Sequence, residues 1–153
     1  MATPSDWFAP AHATWSAGQR HKALQQLIDH FNQRPRPREA GLFKQISYYL
    51  FLLADYRSAS QILAQGHVEC PADEEIALNQ VVCLSRANDA AGSLAAGEAL
   101  AARGCLNPVL FDSLASSAAR LKRHDEAREH GSRALALKDK QHGGLALAKG
   151  WRL

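Results

Sequence analysis

The sequence predicts an all-α protein, built as a stack of antiparallel helical hairpins. Ala and Leu supply 28 and 20 of the 153 residues, whereas Val, Ile and Thr together supply 10. Helices favour Ala and Leu, and strands favour β-branched residues. Gly and Pro divide the chain into helix-length segments, and small side chains recur with a period of 34 to 36. With 46% hydrophobic residues, the chain suits one folded domain.

The repeat is anchored on small side chains that follow one another at this nearly constant interval. They are Ala23, Ala59, Ser93 and Ala127. Pro35 and Pro71 each follow the small residue of their own unit by twelve positions. Each unit therefore has room for two helices joined by a short turn, followed by a second turn before the next unit.

The first helix of each unit is marked by start signals and apolar stripes. Thr3-Pro4-Ser5-Asp6 resembles a capping box, and Asn107-Pro108 starts the equivalent segment of the fourth unit. Apolar side chains recur at helical spacing in the second and fourth units: Phe43, Ile46, Leu50 and Leu53, then Phe111, Leu114, Ala118 and Leu121. Pro10 lies inside the first segment, so we expect that helix to be kinked or short.

The second helices follow the turns. The predicted segments are Lys22 to Asn32, Ser58 to Gln65, Ala90 to Ala102 and Asp125 to Leu137. The third unit has two possible registers. With Ser93 in the small position, Gln80 falls in the core; with Ala96 there, Cys83 and Leu84 take that place.

These hairpins resemble the tetratricopeptide repeat (TPR) family, whose unit carries W-x2-L-G-x2-Y, a small residue, an aromatic or Leu, and a Pro. In the first unit the matching positions hold Trp7, Ala11, Gly18, Ala23 and Pro35. In the second they hold Phe43, Ile46, Ser47, Leu50, Tyr56, Ala59, Leu63 and Pro71. In the fourth they hold Phe111, Leu114, Ala115, Ala118, His124, Ala127, Ala134 and Leu135.

The resemblance implies a right-handed superhelix of about four hairpins over residues 1–139, with repeats at about 4–38, 39–73, 74–106 and 107–139. Residues 140–153 are expected to be a tail, either a short capping segment containing Leu145, Leu147 and Trp151 or a linker to an absent domain.

In this family the first helices line a concave groove that binds peptides or proteins. The positions that this resemblance assigns to the groove are His12, Trp15, Lys44, Tyr48, Phe51, Arg86, Asp112, Ser116 and Arg120. Two interpretations of Tyr48 and Phe51 stay open: they pack under adjacent helices, or they anchor a ligand. Lys44, Arg86 and Arg120 favour an acidic partner.

One branch of the family clamps the C-terminal carboxylate of a chaperone tail with Lys, Asn and Arg side chains. Here the corresponding positions hold Phe8, His12 and Gln45, so we predict no clamp of that type. The Arg34-Pro35-Arg36-Pro37-Arg38 segment is interpreted as a solvated loop between repeats, with an acidic protein or a phosphate contact as the alternatives.

Other functional classes find little support. The longest apolar run has seven residues, too few for a membrane span, and the first twenty residues lack a secretion signal. The three cysteines have no metal-ligand spacing, which favours a reducing cytoplasm. The histidines form no metal motif and no nucleophile signature appears, so we expect neither an enzyme nor a cofactor. The net charge of +3 is mild, and no nucleic-acid motif accompanies it.

The sequence therefore predicts a non-catalytic, cytoplasmic protein-interaction module whose partner is a peptide or protein. Two alternatives stay open: the N-terminal TPR domain of a larger enzyme, for example a glycosyltransferase, and a secretion-type chaperone. A homodimer is a further expectation, because self-association would cover the exposed apolar end of a repeat stack.

Overall fold

The computed structural model describes residues 4–140, which form eight α-helices joined by short turns. The helices are α1 (Pro4–Ser16), α2 (Arg20–Gln33), α3 (Ala40–Leu52), α4 (Tyr56–Glu69), α5 (Glu74–Arg86), α6 (Ala90–Ala102), α7 (Pro108–Arg120) and α8 (His124–Lys140). The prediction of an all-α stack of hairpins is confirmed. The predicted tail, apart from Lys140, lies outside the described residues.

The turn inside each hairpin repeats with the period of the sequence. Its central residue has a positive φ in all four hairpins: Gly18 (85°), Ala54 (59°), Asn88 (64°) and Lys122 (61°). The next residue donates its N–H five positions back, as Asp55 does to the Leu50 carbonyl at 2.9 Å. This is the Schellman arrangement, which satisfies the last carbonyls of the helix before it. The same turn therefore sets the direction of the second helix in each of the four hairpins.

The turns also settle the register of the third unit. Asn88 lies one repeat period after Ala54 and one repeat period before Lys122, so Ser93 takes the small position and not Ala96. The Ser93 side chain is fully buried, and its hydroxyl donates to the Val81 carbonyl at 2.9 Å. Gln80 is half-buried, so the third unit has a less complete core at that point.

The first helices form one continuous layer. Each helix packs on the next in the chain, and α3, α5 and α7 also contact each other in order. The buried side chains form two apolar clusters, one centred on α2 to α4 and one on α5 to α7. In this layer, side chains from the first helices of neighbouring hairpins lie next to one another.

Three local predictions differ from the structure. Of the two outcomes expected of Pro10, a short first helix is wrong, since α1 has 13 residues like α3, α5 and α7 and Pro10 is exposed. The second helix of unit two extends past Gln65 to Glu69, with Gly66 inside α4 against the ring of Phe43. Leu53 packs against the core as its apolar stripe predicts, although it is the C-cap of α3, whereas Leu121, the C-cap of α7, is exposed.

The Arg-Pro segment is not wholly solvated, because Arg38 is buried. Its Nε donates to Glu69 Oε1 at 3.0 Å and its Nη2 lies 2.5 Å from Glu69 Oε2. The guanidinium carbon also lies 3.6 Å from the ring centroid of Phe31. These hydrogen bonds hold the pKa of Glu69 at about 2. Arg38 therefore joins the loop before α3 to the end of α4.

Candidate functional site

The layer of first helices contains a groove of about 490 Å³ between α5 and α7, with one contribution from α3. Its lining residues are Phe51, Asn79, Val82, Ser85, Arg86, Val109, Asp112, Ser113, Ser116 and Arg120. On α5 and α7 these residues recur at intervals of three and four, which places them on one face of each helix. The groove therefore follows from the periodicity of two neighbouring first helices.

Five of the nine predicted groove residues line this site. They are Phe51, Arg86, Asp112, Ser116 and Arg120. Phe51 is half-buried at the α3 edge of the groove, and the other four are exposed. The structure therefore brings together the four predicted residues of α5 and α7 with Phe51 of α3.

The remaining four lie elsewhere, in the N-terminal half. Tyr48 is 6% exposed and belongs to the core, where burial raises the pKa of its hydroxyl. Lys44 pairs with Asp73 at 3.0 Å and with Glu75 at 3.1 Å. Burial opposes the charge of Lys44, but these two carboxylates outweigh it and raise the pKa of the ammonium group. Neither residue lines the groove.

His12 and Trp15 are occupied by aromatic contacts around α1. The ring of Trp15 stacks on Tyr49 with 4.0 Å between centroids, and the Arg20 guanidinium lies 4.9 Å from the Trp15 ring. The exposed ring of His12 stacks on Phe8 at 5.3 Å. His12 and Trp15 therefore contact residues of α1, α2 and α3, and neither lines the groove between α5 and α7.

The two groove cations are positioned by equivalent contacts. Arg120 donates from Nη1 to the Ser85 carbonyl at 2.6 Å. One hairpin earlier, the guanidinium carbon of Arg86 lies 5.7 Å from the ring centroid of Phe51. Ser85 and Phe51 are themselves one repeat period apart. Each arginine thus reaches back to the end of the preceding first helix.

The electrostatic balance of the groove is positive. Asp112 is the sole carboxylate among the described lining residues, and its charge is countered by Lys138 of α8 at 2.7 Å. Within residues 4–140, Arg86 forms no ion pair with a carboxylate. Two guanidinium groups therefore face a site where no net negative charge balances them.

The structure adds Asn79, which the sequence analysis missed. Asn79 is fully buried at the groove, and neither its amide nitrogen nor its amide oxygen has a hydrogen-bond partner among the described residues. An unpaired buried amide costs about 1–3 kcal/mol. A signal was available in the sequence, because Asn79 lies one repeat period after Gln45, the position at which one branch of the family places a clamp residue.

The described residues offer little for covalent or metal chemistry. No group of three or more His, Cys, Asp or Glu side chains within residues 4–140 is arranged to hold a metal ion. Burial raises the pKa of the Cys83 thiol to about 12, so the thiolate nucleophile is scarce at neutral pH. In the same part of the chain, no helix is both long and apolar enough to cross a membrane.

Comparisons with known proteins identify the fold. No protein-family model matches the sequence, and no curated protein matches it. Among solved structures, MamA MSR-1 C2 superposes with a TM-score of 0.73 at 14% identity, over 86% of this chain and 74% of that chain. The MamA RS-1 ArsTM double mutant gives a TM-score of 0.75 at 16% identity, over 92% and 78%. MamA is a TPR protein. This chain has the TPR fold.

At these identities the likeness establishes the architecture alone. It agrees with the resemblance found in the sequence, which rests on small and apolar residues at equivalent positions of each hairpin. The fold does not determine what the groove binds, because binding depends on the side chains that line it.

Proposed function

We propose that this protein is a non-catalytic interaction module that holds a segment of a protein partner in the groove between α5 and α7. The observation that carries the proposal is the combination of an open 490 Å³ groove with the unpaired amide of Asn79 in its lining. Stability alone would favour an apolar residue at such a position. A buried polar group without a partner in the lining of a concave surface therefore supports a binding role for that surface.

The charges of the groove support an acidic partner. Arg86 and Arg120 are exposed at its rim, while Lys138 counters Asp112. Complementary charge speeds association and disfavours basic competitors. The apolar lining of Val82, Val109 and Phe51 adds a surface for an uncharged side chain of the same partner.

The N-terminal half of the first-helix layer contributes less to the proposed site. Trp15 is stacked on Tyr49, and Lys44 is neutralised by two carboxylates. We therefore propose Phe51, Arg86, Asp112, Ser116 and Arg120 as partner-contacting residues. Asn79, which is fully buried, is proposed to lie in the floor of the groove beneath them. His12, Trp15, Lys44 and Tyr48 are not proposed as contacts.

Photo-crosslinking tests this assignment. A benzophenone amino acid placed at Ser116, which is exposed in the groove, should crosslink to a partner in native lysate, and the crosslinked peptide should be rich in Asp and Glu. The matched control carries the same group at Arg57, which is exposed on α4. Equal crosslinking from both positions, or crosslinks from Ser116 to basic segments, would overturn the proposal.

The proposed location is a reducing compartment such as the cytoplasm. The thiols of Cys70, Cys83 and Cys105 are all free. An odd number of unpaired cysteines is typical of proteins kept under reducing conditions. A fractionation experiment with antibody detection would test this, and recovery of the protein outside the cytoplasmic fraction would contradict it.

A homodimer also remains part of the proposal. Leu135 on the last described helix is 63% exposed, and self-association would cover its side chain. Replacing Leu135 with Lys should shift a dimer toward monomer in multi-angle light scattering. A wild-type protein that is monomeric at all accessible concentrations would rule out self-association.

A further inference from the structure

Arg86 and Arg120 occupy the same place in two neighbouring hairpins. Each is the last residue of its first helix, α5 or α7, and they lie one repeat period apart in the sequence. The equivalent positions of the first two hairpins hold Ser16 and Leu52, which are uncharged. The two cations therefore form an isolated pair at one end of the groove.

The separation of this pair is governed by helix packing. The helices α5 and α7 contact each other directly. Axes of packed helices lie about 8–10 Å apart. Equivalent side chains on the two helices are therefore offset by about the same distance across the groove.

Both guanidinium groups are held by neighbours. The Arg120 Nη1 is fixed on the Ser85 carbonyl, and Arg86 is placed over the ring of Phe51. A guanidinium carries five N–H donors, so most of the Arg120 donors stay available for a ligand. Side chains held in this way lose less entropy on binding than free ones.

An extended chain matches this offset. In a β-strand, side chains two positions apart point to the same side and lie about 7 Å apart. In a polyproline II chain, side chains three positions apart point to the same side and lie about 9 Å apart. In a helix, side chains three or four positions apart lie only about 5–6 Å from each other. A helical ligand would have to place its charges about seven positions apart to reach both arginines.

We infer that the groove recognises an extended segment with two acidic side chains two or three positions apart, one bound by Arg86 and one by Arg120. The segment is internal, so a free C-terminal carboxylate is not needed. The rest of the segment lies along the groove, whose apolar lining includes Val82, one helical turn before Arg86, and Val109, at the start of α7. This inference rests on the proposed function and adds the spacing of the partner's charges.

The test uses synthetic peptides and the full chain. Fluorescein-labelled, C-terminally amidated dodecapeptides carry two Glu at separations from one to seven positions, in a background of Ser, Gly and one Leu. Fluorescence anisotropy at low salt measures their affinity. We expect separations of two and three to bind about fivefold more tightly than separations of one or five.

The variants Arg86→Gln and Arg120→Gln should each abolish the dependence on spacing. Arg57→Gln, at an exposed position of α4, makes the same change of charge and should preserve the dependence on spacing. Circular dichroism of each variant verifies that the helices are retained. A double variant with both groove arginines changed should bind no better than either single variant.

The possible outcomes distinguish a failure of the inferred charge spacing from a failure of the proposed groove function. Equal affinity at all separations, lost in the arginine variants, would overturn the spacing and leave the groove function standing. A maximum at seven positions would overturn the extended conformation in favour of a helical partner. Binding that is unchanged by Arg86→Gln and Arg120→Gln, or no binding by any peptide, would overturn the inference. It would also overturn the proposal that the groove binds an acidic partner.

Discussion

The guanidinium of Arg120 donates to the main-chain carbonyl of Ser85, 2.6 Å away, and so connects the end of α7 to the end of α5. The carbonyls at a helix C-terminus carry partial negative charge and lack intrahelical partners. A cation placed there stabilises the junction between two hairpins. The same side chain lines the groove, so one residue serves both the stack and the proposed site.

Arg120→Ala should therefore lower the free energy of unfolding. We expect a loss of about 1 kcal/mol, the typical value of one charge-assisted hydrogen bond at a partly buried site. Urea denaturation followed by circular dichroism measures it. The matched control is Arg128→Ala on exposed α8, for which the change should be within about 0.5 kcal/mol of zero. An equal effect of both variants would contradict the role of the Ser85 contact.

Asn79→Leu should make the protein more stable and the groove less able to bind. The substitution removes a buried amide without partners among the described residues, and the expected gain is about 1–2 kcal/mol. Thermal denaturation measures the gain, and the peptide titration measures binding. Asn32→Leu, at an exposed position of α2, should change neither quantity appreciably. Loss of stability in Asn79→Leu would mean that the amide is satisfied in solution.

Glu69→Gln should make the free energy of unfolding less dependent on pH in the acid range. The Arg38 hydrogen bonds hold the folded-state pKa of Glu69 at about 2, below its ordinary value of 4.5. A depressed pKa contributes stability above the unfolded-state value, and this contribution is lost as the pH falls through 4.5 toward about 2. The variant should be less stable than wild type at neutral pH by roughly 2–3 kcal/mol.

The two stability curves should therefore converge between about pH 5 and pH 2. Urea titrations at a series of pH values test this, with Arg128→Ala as a control that alters an exposed pair with Asp125. A constant gap between wild type and Glu69→Gln across this range would contradict the assignment of the low pKa to the buried pair.

Two glycine substitutions should have opposite signs. A Cβ at Gly97 would lie 2.5 Å from Leu114 Cδ2, a methyl group of a fully buried side chain. Gly97→Ala should therefore destabilise the α6 to α7 contact by about 1–2 kcal/mol despite the higher helix propensity of Ala. At Gly131 of α8 nothing lies within 4 Å, so Gly131→Ala should stabilise by about 0.5–1 kcal/mol. Identical signs would show that the α6 to α7 packing is looser than described.

Much of the fold could be predicted because its signals are local. Period, helix propensity and apolar spacing lie within single hairpins, and they led to the correct fold class and to the small position held by Ala59. The lengths of α1 and α4 were harder to predict, because the free-energy cost of Pro10 or Gly66 inside a helix depends on what surrounds the residue. Pro10 is on an exposed face, and Gly66 is inside a close helix contact with Phe43.

The candidate site was harder to predict because neighbours decide which side chains remain available. Helical spacing alone could not separate Phe51, at the groove, from Tyr48, in the core. The charge of Lys44 is cancelled by Asp73 and Glu75, which lie about thirty positions later in the chain. Arg86 and Arg120 stay available because neither of their contacts is with a carboxylate.

The central claim is that an acidic segment binds between α5 and α7. Nuclear magnetic resonance titration of the isotopically labelled chain with the amidated peptide whose two Glu are three positions apart tests it most directly. We expect saturable amide shift changes that cluster on the groove faces of α5 and α7, around Val82, Arg86 and Ser116. Shift changes centred on α1 and α2, or spread evenly over the basic surface, would contradict it.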